Sequence, residues 1–310
     1  MKYPFARIYL ALFLSLFSGF SIADSTHQFS LTLDTSKAEY DHTGEARSHS
    51  FAATAYFNPI NKSVFLPHSR NAFYSQTGSL SISTNRTDRD GLNAVIRGKV
   101  LKEANSKQYS INTFLAYKAI PVWTKLSYQY IDEINFYYSD GTEEDVESEL
   151  KPDTAISLGA YIDDHLSFYL TYSKQENKTY GAGIVKLFDL SNFGFLEANI
   201  EFSKTDRQHT EILLRNNIEL RNSRLTMNEK NALFKFSYFP IPTTGFTLAY
   251  QQIGFDRDHL KNHYYSVDIT HYLTNTVHVG IHYSHKDDDS YDWYQGGNYN
   301  DIGLSLGFDF

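Results

Sequence analysis

Asp301-Ile302-Gly303-Leu304-Ser305-Leu306-Gly307-Phe308-Asp309-Phe310 closes the chain, and its alternation decides the fold. Successive side chains of a β-strand point to opposite faces. Ile302, Leu304, Leu306, Phe308 and Phe310 therefore share one face, and Asp301, Gly303, Ser305, Gly307 and Asp309 the other. One face suits hydrocarbon and the other suits water. The contrast recurs at Val277, Val279, Ile281 and Tyr283 against His278, Gly280, His282 and Ser284. It recurs again at Leu196, Ala198, Ile200 and Phe202 against Glu197, Asn199, Glu201 and Ser203. Glutamates do not line a dry core. A two-sheet sandwich gives the same alternation by burying its apolar face, so periodicity alone does not separate it from a barrel in lipid.

Other features of the chain favour the barrel. Residues 1–23 read as an export signal, with Lys2 and Arg7 ahead of an apolar run from Ile8 to Phe20 and small residues at Ser21 and Ala23. A cut before Asp24 leaves one domain, 24–310, of 310 − 23 = 287 residues. Without Lys2 and Arg7 the basic residues number 28 − 2 = 26 against 36 acidic ones, a formal charge of 26 − 36 = −10. That balance argues against nucleic acid as a partner. No other stretch approaches the ~20 consecutive apolar residues of a spanning helix, and the mean hydropathy is −0.43. There is no cysteine, so an exported chain of this kind holds together without disulfides. A closed hydrogen-bonded barrel supplies that stability.

Period-two segments fall near 27–34, 50–57, 74–83, 91–101, 108–117, 124–137, 154–162, 166–173, 180–187, 194–203, 230–238, 245–251, 263–271, 276–284 and 301–310. Their lengths suit the ~9–11 residues of a tilted membrane strand. Aromatic residues gather near segment ends, at Tyr128 with Tyr130, Phe136 to Tyr138 and Phe234 to Phe239, as interfacial girdles do. Short connections at Lys118–Trp123, Asp163–His165, Phe239–Thr244 and Tyr272–Thr276 alternate with long polar ones at Ser139–Asp153 and His285–Asn300. Pro59, Pro67, Pro121, Pro152, Pro240 and Pro242 are all assigned to connections, where a missing N–H breaks no ladder. An odd number of strands does not close with both ends on one side, which puts the miscount upstream of Tyr109 or inside 204–229. The expected fold is an all-β, transmembrane, antiparallel β-barrel of sixteen strands, with fourteen as the second count.

The terminal Leu306-Gly307-Phe308-Asp309-Phe310 resembles the signal read by the outer-membrane assembly machinery, with Phe308 and Phe310 at its alternate apolar positions. Upstream, Tyr56-Phe57-Asn58-Pro59-Ile60, then Phe65-Leu66-Pro67, and Ala72-Phe73 through Ser79-Leu80-Ser81 resemble the N-terminal stretch of a family of proteobacterial porins. The chain departs from that family at Asn58, where aspartate is usual, and in the run His68-Ser69-Arg70. The resemblance implies a bacterial outer-membrane porin passing small hydrophilic solutes or ions by diffusion. Its partners would be the lipid bilayer, lipopolysaccharide and the assembly machinery, with a homotrimer as one assembly. It carries no catalytic residue and no cofactor.

A pore acts through the charges on its wall, so ionisable residues on polar strand faces are the candidate pore-lining set: Arg97, Lys99, Lys125, Glu197, Glu201, Lys235 and Asp268. The acidic run Asp140 to Lys151 reads as a solvated external loop, with inward folding to narrow the pore as the alternative. His278, His282 and His285 sit close in sequence, but no carboxylate or thiol completes a metal-ligand spacing, so no metal is expected. His282 and Ser284 share a face, the residue types that a phospholipase-like barrel enzyme employs, without an orienting third group or an oxyanion donor. Asp287, Asp288, Asp289 and Asp292 could bridge lipopolysaccharide phosphates through divalent cations. No enzymatic activity is expected. A non-conducting structural or adhesive barrel is the other alternative.

Overall fold

The computed structural model describes residues 26–40, 44–61, 73–91, 95–96, 99–117, 120–145, 152–174, 177–215, 218–241, 243–255, 261–274, 276–288 and 298–310. The expected signal peptide, 1–23, lies outside the described residues, as do Arg97, Phe65–Ala72 of the porin-like stretch, and Asp289 and Asp292.

The alternating segments become the strands β1 (Thr26–Tyr40), β2 (Gly44–Asn61), β3 (Ser79–Asp90), β4 (Lys99–Tyr117), β5 (Val122–Tyr138), β6 (Asp153–Asp163) and β7 (Leu166–Lys174). The second half supplies β8 (Lys178–Asp189), β9 (Phe195–Arg215), β10 (Ile218–Ile241), β11 (Thr244–Phe255), β12 (Lys261–Tyr272), β13 (Val277–Asp288) and β14 (Tyr299–Asp309). Each strand pairs antiparallel with the next, and β14 pairs with β1 from Ser30↔Asp309 to Tyr40↔Tyr299. The ring therefore closes, and the wall has no open edge among the described residues. Phe310 completes the seam: the N–H groups of Gln28 and Phe29 donate to its carbonyl at 2.6 and 3.0 Å, and its own N–H donates to Phe29 O at 2.8 Å.

Sixteen extended segments share the sheet, but Val95–Ile96 and Glu143–Asp145 are short flaps on β4 and β5, so the wall has 16 − 2 = 14 strands. Fourteen, the second of the two expected counts, replaces sixteen. The surplus segment is 91–101. Its apolar Val95 and Ile96 fold back onto Lys99 and Val100 at the start of β4 rather than crossing the wall. Residues 204–229 hide no further wall strand. Pairing with β8 ends at Asp206 and pairing with β11 ends at Glu229, beyond which β9 and β10 continue as a two-stranded ribbon to Arg215↔Ile218. The 21 residues of β9 extend about 70 Å at ~3.3 Å each, far more than a bilayer needs. Two prolines expected in connections lie in strands. Pro59 falls in the register break of β2 between Ala55 and Ile60, and Pro240 in the one between Tyr238 and Ile241. Both sit where the ladder is already interrupted.

The outward positions carry the apolar set: Leu158, Leu170, Phe202, Leu248, Ile302 and Leu304 are each more than half exposed. A contiguous exposed apolar band around a closed barrel is stable only against hydrocarbon. At the end bearing Thr26 and Phe310 the band runs to the strand ends, at Ile162 and Ile241, and into the connections, at Ile120, Phe193 and Leu273. Toward the other end it is bordered by outward rings, with Tyr172–Tyr180 and Tyr250–Tyr265 centroids 5.3 Å apart and Phe234–Tyr250 at 6.3 Å. Tight turns close the first end, and polar side chains cap them: Asp163 Oδ1 accepts from His165 N–H and Asp189 Oδ1 from Ser191 N–H, both at 2.7 Å. The His165 bond holds the Asp163 carboxyl below the usual carboxylate range. We call this the turn end and the opposite one the loop end.

Candidate functional site

Residues directly paired across neighbouring strands share a face, so the registers assign the inner wall without ambiguity. Along β2–β4 that wall is small and hydroxylated. Ser48 pairs with Thr87 at 2.9 Å, Thr54 with Ser81 at 2.8 Å, and Ser83 with Ser110 at 2.6 Å, hydroxyl to hydroxyl. These side chains satisfy one another sideways and stop at the wall.

Along β5–β9 the same inner positions hold large rings next to glycines. One row runs Trp123↔Gly159↔Tyr169↔Gly183↔Glu201. A Cβ on Gly159 would overlap the Trp123 ring, and one on Gly183 would overlap that of Tyr169. Each ring therefore lies flat over the strand beside it and bonds one strand further on. Trp123 Nε1 donates to Ser167 Oγ at 2.8 Å, and the Tyr169 hydroxyl donates to Glu201 Oε2 at 2.8 Å. Trp123 also packs on Tyr169 and Phe114, each at 5.7 Å between centroids.

A short turn before β3 joins this cluster from inside the barrel. The Phe73 ring lies 5.3 Å from Tyr161, 5.6 Å from Trp123 and 5.8 Å from Phe114, and the Tyr161 hydroxyl donates to Phe73 O at 2.7 Å. Tyr74 packs on Leu187 and Phe239, and its hydroxyl donates to Glu197 Oε2 at 2.9 Å.

From β12 to β1 the wall is ionic. Asp268 is paired in register with His282, and His282 with Gly303. The imidazole lies over Gly303, and its Nε2 is 3.1 Å from Asp301 Oδ2. His278 repeats the device over Gly307, with Nδ1 3.5 Å from the buried Asp309 carboxylate. Asp34 stands on the adjacent inner position of β1, paired with Ser305.

Five of the seven candidate pore-lining residues fall on this inner face. Lys125 lies on the Phe114–Lys125–Ser157 row and is exposed to the lumen. Lys235 is paired with Asn199 and Ala249, Asp268 with Thr247 and His282, and Glu201 is half-buried under Tyr169. Glu197 is 2% exposed and accepts from the Tyr74 hydroxyl, so it is closed off from the lumen. Lys99 begins β4 at the loop end, and Arg97 is outside the described residues. Of the three histidines, His278 and His282 face inward, while His285 stacks on the outward Tyr265. Among the described residues no cluster of His, Asp and Glu is arranged to hold a metal ion. Sequence reasoning missed the rings of Phe73, Trp123, Tyr161 and Tyr169 and the pairs His282–Asp301 and His278–Asp309. For Trp123, Tyr169, His282 and His278 the signal was an inward glycine opposite the ring, at Gly159, Gly183, Gly303 and Gly307, while Phe73 and Tyr161 have no such mark.

No family model matches the sequence, and no curated protein matches it either. Among solved structures, the outer-membrane protein Omp33 of Acinetobacter baumannii superposes with a TM-score of 0.56 at 14% identity, over 92% of this chain and 99% of that one. The anion-selective porin of Comamonas acidovorans gives 0.46 at 8% identity, over 92% and 99%, and OccK11 of Pseudomonas aeruginosa 0.41 at 9%, over 94% and 99%. The Omp33 likeness extends over most of the chain, and the chain shares the closed β-barrel fold of that outer-membrane protein.

Proposed function

We propose that the chain is an outer-membrane channel through which small hydrophilic solutes and ions diffuse, with a preference for cations. Its turn end faces the periplasm and its loop end the exterior, in the manner of bacterial barrels with short turns inside and long loops outside. Export through a leader at 1–23 and assembly through the terminal Phe308 and Phe310 fit this placement.

The observation that carries the reading is the charge on the inner wall. Asp34, Asp153, Glu201, Asp268 and Asp301 stand unburied on the described inner wall, against Arg89, Lys125 and Lys235, an acidic excess in a space bounded by low-dielectric walls. Such a wall concentrates cations and repels anions. Single-channel recording in planar bilayers under a KCl gradient tests both parts. The expected result is a discrete conductance with a reversal potential displaced toward that of K⁺. Clear anion selectivity overturns the cation preference, and the absence of current from both the native protein and the widened variant described below overturns the channel.

A further inference from the structure

Resting on the channel reading, we propose that Phe73 and Tyr74 form the constriction that sets the size limit for solutes, held across the turn-end mouth by Glu197 and Tyr161. Ring geometry is the first ground. Phe73 and Tyr74 lead into β3 through the buried Thr77 and Gly78, yet Tyr74 bonds Glu197 on β9. On the closed ring β3 and β9 are 9 − 3 = 6 strands apart out of fourteen, one short of diametrically opposite. The segment therefore spans the mouth rather than following its own side of the wall.

Anchoring is the second ground. At the near side Gly78 O accepts from Phe57 N–H at 2.8 Å, and the Phe57 ring covers Gly78 so closely that a Cβ there would clash. In the middle, the carbonyl of Phe73 accepts from Tyr161 at 2.7 Å and from Gln76 N–H at 3.1 Å. At the far side the buried Glu197 receives the Tyr74 hydroxyl, between Leu187 and Phe239. A carboxylate is costly to bury without a partner, and the Tyr74 hydroxyl supplies one to Glu197 between the buried Leu187 and Ser237. Glu197 is thus a positioning residue for the constriction, distinct from the charges that meet solute.

The chain has no cysteine, so Tyr74→Cys supplies a unique thiol. Phe73→Ala with Tyr74→Ala should raise single-channel conductance severalfold and admit larger sugars in liposome swelling. Attachment of a bulky methanethiosulfonate to Tyr74→Cys should then reduce the current. Glu197→Ala should enlarge the sugar limit, whereas Glu197→Gln, which keeps an acceptor oxygen, should stay near the native limit. Heat-modifiable migration on gels checks that each barrel is intact. A native protein that conducts, with conductance and sugar limit unmoved in the double variant and current unmoved by labelling, overturns the constriction and leaves the channel standing. A silent native protein whose double variant conducts supports the constriction as a complete closure. Silence in both removes the channel reading and this inference with it.

Discussion

The inner walls of β2–β4 and of β5–β9 obey the same alternation and end in opposite states. Between β2 and β4 the serines and threonines bond to the next strand at 2.6–2.9 Å and project no further. Between β5 and β9 the rings of Trp123 and Tyr169 are too large to stand side by side. They tip over Gly159 and Gly183 and bond to the second strand along. The first sector leaves the lumen open, and the second thickens the wall and gives Phe73 a surface to rest on. Wall thickness in this barrel is set less by the large residues than by where glycine lets them lie down.

The strongest way to break that comparison is Gly159→Ala. Alanine in a strand would ordinarily gain about 0.5–1 kcal/mol over glycine. Here its Cβ would displace Trp123, with the Ser167 bond and the packing on Tyr169 and Phe73. Overpacking of this kind costs about 1–3 kcal/mol, so the sign of the change is itself diagnostic. Urea unfolding of the barrel in lipid vesicles should show a lower midpoint, and a higher one would mean that the ring does not depend on the glycine.

Gly303→Ala should have a smaller effect. His282 would leave the wall, but its imidazole can turn into lumen water, which places the cost near the lower end of the same range, about 1 kcal/mol. Separation from Asp301 would also bare that carboxylate, so the reversal potential should move further toward K⁺. Asp301→Asn should move it the other way, toward zero. Equal shifts in one direction from both variants would show that the pair does not govern local charge.

What the sequence made legible follows from what is periodic in it. The lipid face, the seam strand ending at Phe310 and the turns after Tyr117, Asp163, Ile241 and Tyr272 were readable, because alternation and Pro, Asx and Gly punctuation are local. Strand number was not. Val95 and Ile96 look as apolar as a wall segment, and only their pairing with Lys99–Val100 shows a flap. The length of β9 and β10 was hidden for the same reason, since alternation does not say where membrane ends and free ribbon begins. Inner-face membership of Lys125, Glu201, Lys235 and Asp268 was readable from parity, but the distinction between Glu201 and Glu197 was not. Both occupy equivalent positions on one strand, and only the fold brings Tyr74 to one of them. An inward glycine opposite a ring, as at Gly183 and Tyr169, needs the register before it becomes a signal.

The smallest effect sharpens the contrast from the other side. Ser83→Ala removes one hydroxyl from the Ser83–Ser110 pair, yet Asn112 Nδ2 still lies 3.5 Å from Ser110 Oγ and lumen water can take the vacated place. A hydrogen bond exchanged for one to water is worth about 0.5–1.5 kcal/mol at most, and on a wet wall the loss should fall at or below the bottom of that range. The group also lies sideways along the wall, so its removal should leave conductance unchanged within error. The same urea titration and single-channel recording check both statements. A midpoint shift from Ser83→Ala as large as that from Gly159→Ala would place the barrel's interior stability in the hydroxyl pairs, and the division between an open sector and a filled one would no longer describe how the wall is held.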